Sequence, residues 1–209
     1  IHTTISSHPL DSIFQLKKKN ALLKTSKKFE KENFDEEIAR MTTDFRNNGA
    51  FRFQQNYITF DIDTLKNKHT SNVELIVGDE NIRKGDSTYT KPFQLYKIKK
   101  VNVFTNYNPS DPNSKITDST SYKDFTIYSV SKLKYRPKAI ADGIFMNTGE
   151  YFSDTKTTLT SKYLSNLRVF NYPLIQYEED KKNKNELITN IYLTSRKKYT
   201  FGISSDFTH

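Results

Sequence analysis

Large apolar side chains recur along this chain with two spacings, one helical and one strand-like, and the two follow one another in the same order twice. Thr3 and Ile5 belong to an opening strand. Pro9 then suits the first turn of a helix whose stripe is Leu10, Ile13, Phe14 and Ala21. After a lysine-rich connection, Phe34, Ile38, Met41 and Phe45 recur at intervals of four, three and four residues. Asp35, Glu36 and Glu37 open that second helix, where the dipole favours acids, and Gly49 supplies the left-handed residue that closes it. Ile58, Phe60 and Ile62 then alternate with Tyr57, Thr59, Asp61 and Asp63, which predicts a strand with one apolar face. A turn around Asn67-Lys68 leads to a second alternating run, Val73, Leu75 and Val77. The order is strand, helix, helix, strand, strand.

Residues 78 to 93 combine turn chemistry with charge and read as an interdomain connection. The pattern then restarts. Tyr96, Ile98, Val101 and Val103 predict a strand shifted by a bulge at Lys99-Lys100. A polar, turn-rich insertion occupies 106 to 121, and DFTIYSVSKLKY reads as a returning strand. Pro137 opens a helix bearing Ile140, Ile144 and Phe145 that closes near Thr148-Gly149, and a further helix carries Leu159, Tyr163 and Leu167. Ile175 and Tyr177 mark the next strand, Ile191 and Leu193 the last.

The two halves align. Phe45, Asn47 and Phe51 correspond to Leu164, Asn166 and Phe170 at an offset of 119; Ile58 and Phe60 to Ile175 and Tyr177 at 117; Val73 and Leu75 to Ile191 and Leu193 at 118. Such an internal repeat predicts an α+β chain of two tandem βααββ units, each with two helices packed on a three-stranded mixed sheet. In this reading Gly49 turns the chain back, and the aromatics after it cover the helix end.

Composition narrows the function. With 209 residues and 34% hydrophobic content the chain buries one modest core or two small ones, and 13 Tyr and 15 Phe supply the burial that ordered structure needs. No run approaches the roughly 18 apolar residues of a membrane-spanning helix. The absence of cysteine excludes disulfides, thiolate metal sites and cysteine nucleophiles. Because the chain begins at Ile1 with a strand already under way, it is expected to be a fragment. The net charge of +9 permits contact with nucleic acid, anionic lipid headgroups or acidic proteins. Its short lysine runs, from Lys17-Lys18-Lys19 to Arg196-Lys197-Lys198, are scattered in the way solvated faces scatter them.

Candidate chemistry is sparse. His2, His8, His69 and His209 stand at termini, a helix entrance and a turn, with no partner at metal-ligand spacing. Asp61 and Asp63 share a strand face, but nothing local would set their pKa values apart. Phosphate-cradling, dinucleotide-binding and nucleophile-elbow motifs are all missing. The chain therefore reads as non-enzymatic, with no cofactor and no metal. A soluble, basic nucleic-acid-binding module remains the competing class. Against it, the ribonucleoprotein signature is absent and most aromatics fall at core positions.

The repeat order, together with FRNNGAFRFQQNYITFDIDT (45 to 64) and YLSNLRVFNYPLIQYEED (163 to 180), resembles the POTRA domains of outer-membrane assembly factors of the BamA/TamA type, most closely the TamA-like members of the Bacteroidota. Asn47-Asn48-Gly49-Ala50-Phe51 is similar to the family's phrase between second helix and second strand, with Ala where an aromatic is common. Gly149-Glu150-Tyr151 resembles the G-x-x-Y between its helices. Phe201, Ile203, Ser205 and Phe207 look like the start of a barrel strand. The resemblance implies one domain over 1–84, a barrel-proximal domain over 85–200 with a hairpin insertion around 106–121, and the first strand of an outer-membrane β-barrel over 201–209. It also implies a place on the periplasmic side of the outer membrane of a Gram-negative bacterium. There the repeats would receive unfolded outer-membrane or exported proteins and dock accessory periplasmic or lipoprotein subunits beside their own barrel. A dedicated two-partner-secretion or surface-export transporter would carry the same domains. The second strand of each repeat would be the exposed edge, which nominates Tyr57, Ile58, Thr59, Phe60 and Asp61, and Leu174, Ile175, Gln176, Tyr177 and Glu178, for strand augmentation. Asp61 and Asp63 serve there either as binding groups or as protection against edge-to-edge aggregation.

Overall fold

The computed structural model describes residues 1–25, 30–63 and 71–196. Strand β1 (His2–Ile5) leads through Ser7 into helix α1 (His8–Lys17), whose Pro9 sits in the first turn, where no intrahelical donor is lost. Helix α2 (Lys31–Asn47) follows, then β2 (Ile58–Asp63) and β3 (Asn72–Val77). The sheet order is β1-β3-β2, with β1 parallel and β2 antiparallel to β3. Leu10, Ile13 and Phe14 from α1 meet Met41 and Phe45 from α2 over Ile58, Leu75 and Val77. The turn expected at Asn67-Lys68 lies outside the described residues.

Helix α2 begins at Lys31, so the acids expected in its first turn, Asp35, Glu36 and Glu37, lie a turn further in. Glu37 is buried: it accepts the Leu22 N–H (2.8 Å) and the Arg40 Nε (2.9 Å), so it fastens the connection after α1 onto α2. A charge is tolerated there because it is paired and fully hydrogen-bonded.

The segment expected as an interdomain connection is itself a hairpin, β4 (Glu80–Lys84) and β5 (Ser87–Lys91). Its two-residue turn begins at Gly85, with φ of 61°.

The second sheet comprises β6 (Lys97–Thr105), β7 (Asp118–Tyr122), β8 (Phe125–Ser129), β9 (Leu174–Glu179) and β10 (Glu186–Leu193). Its order is β7-β8-β6-β10-β9. Strands β6, β10 and β9 repeat the β1-β3-β2 arrangement. The insertion after β6 returns as the β7–β8 hairpin and lays β8 parallel to β6, which makes five strands of the expected three. The ladder slips between Ile98 and Lys100, leaving Lys99 as the extra residue of a bulge, paired with Asp180 and Glu186.

Helices α3 (Pro137–Ala141) and α4 (Asp154–Asn166) cover one face of this sheet. The helix expected from Pro137 to near Thr148 stops after Ala141. Gly143 passes so close to α4 that an added Cβ would lie 3.0 Å from the Leu164 side chain, and the Thr160 hydroxyl takes the Phe145 N–H at 3.0 Å. Helix α4 also rolls away from the expected face. Its buried positions are Thr160, Ser161 and Leu164, while Tyr163 and Leu167 of the predicted stripe are exposed.

Candidate functional site

Among the described residues the outermost strands are β1 and β2 in the first sheet and β7 and β9 in the second, and the nominated residues lie along β2 and β9. In the first sheet β2 is the outer neighbour of β3; in the second, β9 is the outer neighbour of β10. Antiparallel pairing alternates between residues bonded inward and residues whose backbone groups face out. The Gly78 N–H donates to the Tyr57 carbonyl at 3.0 Å, and the register pairs Ile58 with Val77. Residues Thr59, Asp61 and Asp63 therefore bond inward, and Ile58, Phe60 and Ile62 offer N–H and C=O to the free side. In β9 the Asp180 N–H donates to the Glu186 carbonyl at 2.9 Å, and Leu187 stands opposite Glu179. Leu174, Gln176 and Glu178 thus bond inward, and Ile175, Tyr177 and Glu179 face out.

Side chains alternate with the same period. Ile58 is buried, Phe60 packs edge-on against Phe34 at 4.8 Å, and Ile175 and Tyr177 pack on the second core. Thr59 and Asp61, like Gln176 and Glu178, stand exposed on the opposite face. Asp61 lies opposite Glu74, a like-charge pair that discourages unselective edge-to-edge pairing. Burial pushes the Tyr177 phenol up to about 12 against the opposing hydrogen bond of Thr157 at 2.5 Å.

Between these edges lies a joint built from 45 to 53. Asn47, the last residue of α2, accepts at Oδ1 from the Ser153 hydroxyl and from the Thr155 N–H, each at 2.9 Å. It thereby satisfies an orphan donor in the first turn of α4. Arg46 pairs with Asp154 in the same turn and donates to the Phe51 and Phe53 carbonyls at 2.8 Å. Gly49 has φ of 101°, its carbonyl accepts the Tyr96 N–H at 2.8 Å, and a Cβ there would sit 2.8 Å from Tyr151 Cδ1. Phe51 leaves the first core for the second and meets Tyr96, Phe152 and Tyr177 at centroid distances of 5.0 to 5.8 Å. Arg52 then reaches both Glu80 at the hairpin base (2.9 Å) and Glu179 at the end of β9 (2.6 Å). Burial opposes its charge, but the hydrogen bonds it donates to these carboxylates outweigh it and hold the guanidinium pKa up. The segment expected to close one helix therefore also fastens one sheet to the next.

The helix-free face of the second sheet carries three stacked rings. Phe104 lies between Tyr128 (5.1 Å, 18°) and Tyr192 (4.9 Å, 15°), and Tyr192 meets Tyr107 at 4.7 Å. Both faces of Phe104 are covered by neighbouring rings, which leaves its π surface closed to stacking bases. Among the described residues no three His, Asp or Glu converge in a way that could hold a metal ion, and no helix is long and apolar enough to cross a membrane.

No protein-family model matches the chain, and no curated protein matches its sequence. Solved structures do match. A crystal structure of BamA from Haemophilus ducreyi lacking POTRA domains 1–3 superposes with a TM-score of 0.58 at 11% identity, over 94% of this chain. The chain spans 29% of the length of that BamA chain. The fold is of the POTRA type. Haemophilus influenzae BamA POTRA3–5 (TM-score 0.33, 9% identity, 93% of this chain and 95% of that one) is a weaker likeness. So is the N-terminal domain of Omp85 from Thermosynechococcus elongatus (TM-score 0.30, 6%, 94% and 96%). Of these three the first alone reaches the range in which folds correspond.

In this POTRA-type chain the nominated residues of β2 and β9 occupy sheet edges. What the sequence reading missed is the joint: Arg46, Asn47, Phe51 and Arg52 act on residues 80 to 179. Asn166 stands at the Asn47 position of the repeat and is exposed.

Proposed function

We propose that this chain is the substrate-receiving and partner-docking region of an outer-membrane protein, placed on the periplasmic side, and that it takes extended segments as added strands at β2 and β9. The supporting observation is that each POTRA-type sheet ends on a strand whose outward N–H and C=O groups recur every second residue, at Ile58, Phe60 and Ile62 and at Ile175, Tyr177 and Glu179. Main-chain bonding of this kind tolerates many sequences, as a receiver of unfolded outer-membrane or exported proteins requires. The reading divides the chain at residues 84 and 85, within the β4–β5 hairpin, and continues 201–209, outside the described residues, into a barrel strand. The TamA-like kinship within this proposal rests on Asn47-Asn48-Gly49-Ala50-Phe51 and Gly149-Glu150-Tyr151.

The chain has no cysteine, which makes the test clean. Thr59→Cys and Gln176→Cys place single thiols beside the two edges, on exposed positions. Crosslinking to an unfolded outer-membrane protein from these thiols, and not from a thiol on the exposed face of α1, is the expected result. Equal yields from all positions would overturn edge reception.

A further inference from the structure

The strand edges at β2 and β9 differ in charge. Although the chain as a whole carries +9, strands β1, β2 and β3 hold Asp61, Asp63 and Glu74 and neither Lys nor Arg. The registers set Asp61 beside Glu74 and Glu74 beside His2, in one row across the helix-free face of the first sheet. Thr4 Oγ1 donates to Glu74 at 2.6 Å, whereas Asp61 and Asp63 stand exposed on the outer strand. The three carboxylates line an open hollow of about 400 Å³, with room for long side chains. On the other face the Phe34–Phe60 contact brings the start of α2 over β2, with exposed Glu32, Asp35 and Glu36 against Lys31.

At β9 the acids are already engaged. Glu178 accepts from Asn190 Nδ2 at 3.2 Å and Glu179 from Arg52 at 2.6 Å. Exposed Lys181, Lys182 and Lys184 follow in the next turn.

The phase of the ladder decides what this charge acts on. Ile58, Phe60 and Ile62 turn N–H and C=O outward, so they supply the hydrogen-bonded pairs to an incoming antiparallel strand. Thr59, Asp61 and Asp63 then fall at the non-hydrogen-bonded pairs, where facing side chains approach most closely. A client residue opposite Asp61 or Asp63 shares their face and meets their carboxylates. A residue opposite Phe60 or Ile62 falls on the helix side and covers apolar groups that β2 leaves half-buried. Glu74 crowds Asp61 with like charge, and a base on the added strand relieves that repulsion where an acid deepens it. We infer that β2 selects strands in which Lys or Arg alternates with apolar residues, and that β9 does not discriminate in this way. The inference rests on the edge reception proposed above and names its preferred client: the backbone row binds, and the acids grade what it binds.

Short peptides alternating valine with lysine, or valine with glutamate, test it when each carries a C-terminal bromoacetyl group that alkylates a nearby thiol. The Thr59→Cys thiol should be labelled roughly tenfold more by the lysine peptide, and high salt should shrink that ratio. The Gln176→Cys thiol should be labelled equally by both. Reversing the charge with Asp61→Lys and Asp63→Lys should turn the preference at Thr59→Cys toward glutamate, a result that loss of folding does not imitate. Equal labelling at Thr59→Cys, a preference that survives the reversal, or the same preference at Gln176→Cys would each overturn the inference and leave edge reception standing. Labelling by both peptides at both edges no greater than that of a thiol on the exposed face of α1 would instead overturn edge reception itself, and the inference with it.

Discussion

Asn47 Oδ1 lies 2.9 Å from the Thr155 backbone nitrogen, so the end of one helix caps the start of another in the following unit. Capping residues normally act within three positions of themselves. Here the cap arrives across 108 residues of sequence, and its energy therefore appears as cohesion between units. Asn47→Ala should cost about 1 kcal/mol and broaden thermal unfolding by separating the two sheets' transitions. Asn47→Asp keeps the acceptor and should restore most of the loss. Differential scanning calorimetry distinguishes the two.

Gly49→Ala should act on the same joint by sterics. A side chain at φ of 101° is strained, and the new Cβ would press on Tyr151 Cδ1, on Leu95 Cβ at 3.2 Å and on the Tyr96 carbonyl at 3.3 Å. We expect a loss of about 2 kcal/mol and a larger radius of gyration in solution scattering, with both sheets retaining their far-ultraviolet signal.

The strand edges make a paired prediction. Thr59 bonds inward to β3, whereas Ile62 turns its N–H to the free side. Thr59→Pro should therefore destabilise the first sheet by breaking its own ladder. Ile62→Pro should leave the fold standing and remove strand acceptance, because edge positions tolerate proline. Denaturant titration and client crosslinking, run on both variants, give the comparison.

Acid should loosen the second unit. The hydrogen bond from Lys99 holds the Asp180 carboxyl below the ordinary carboxylate range. At Glu150 burial pushes upward, but the hydrogen bonds of Lys156 and Asn147 prevail and lower it. Groups depressed in the folded state stabilise it above their unfolded pKa, and that contribution fades as pH falls through the folded value. Stability should be level near neutrality and decline below pH of about 4. Asp180→Asn and Glu150→Gln should each flatten that decline in melts taken across the pH range.

Much of this architecture was legible because its causes are local. Leu10, Ile13 and Phe14 at helical spacing are buried, and at strand spacing Ile58 is buried while Phe60 and Ile62 are half-buried on the same face, as their periods imply. The bulge at Lys99 could be read from two lysines interrupting an apolar alternation. What escaped depends on distant partners. Glu37 read as an acid at the helix start favoured by the dipole, and only the fold shows Arg40 and Leu22 closing around it. DFTIYSV was evidently a strand, but nothing local names β6 as its neighbour. On α4 the larger residues pointed to Leu159, Tyr163 and Leu167 as the inner stripe. The helix instead lies so close to Gly143 and Phe145 that Thr160 and Ser161 occupy the inner face. The edges of β2 and β9 were nominated through the resemblance to POTRA domains, whereas the joint between them needed coordinates.

If β2 and β9 take added strands as proposed, that joint would make the two edges a bivalent receptor. With β2 and β9 held at one separation, a client that engaged the first would present its next segment to the second at high effective concentration. Its avidity then depends on the spacing between strand-forming stretches as much as on their composition. Short clients would exchange quickly at either site. Clients whose alternating stretches recur at the matching interval would dwell, so under that reading the joint would work as a ruler that sorts extended chains by their periodicity.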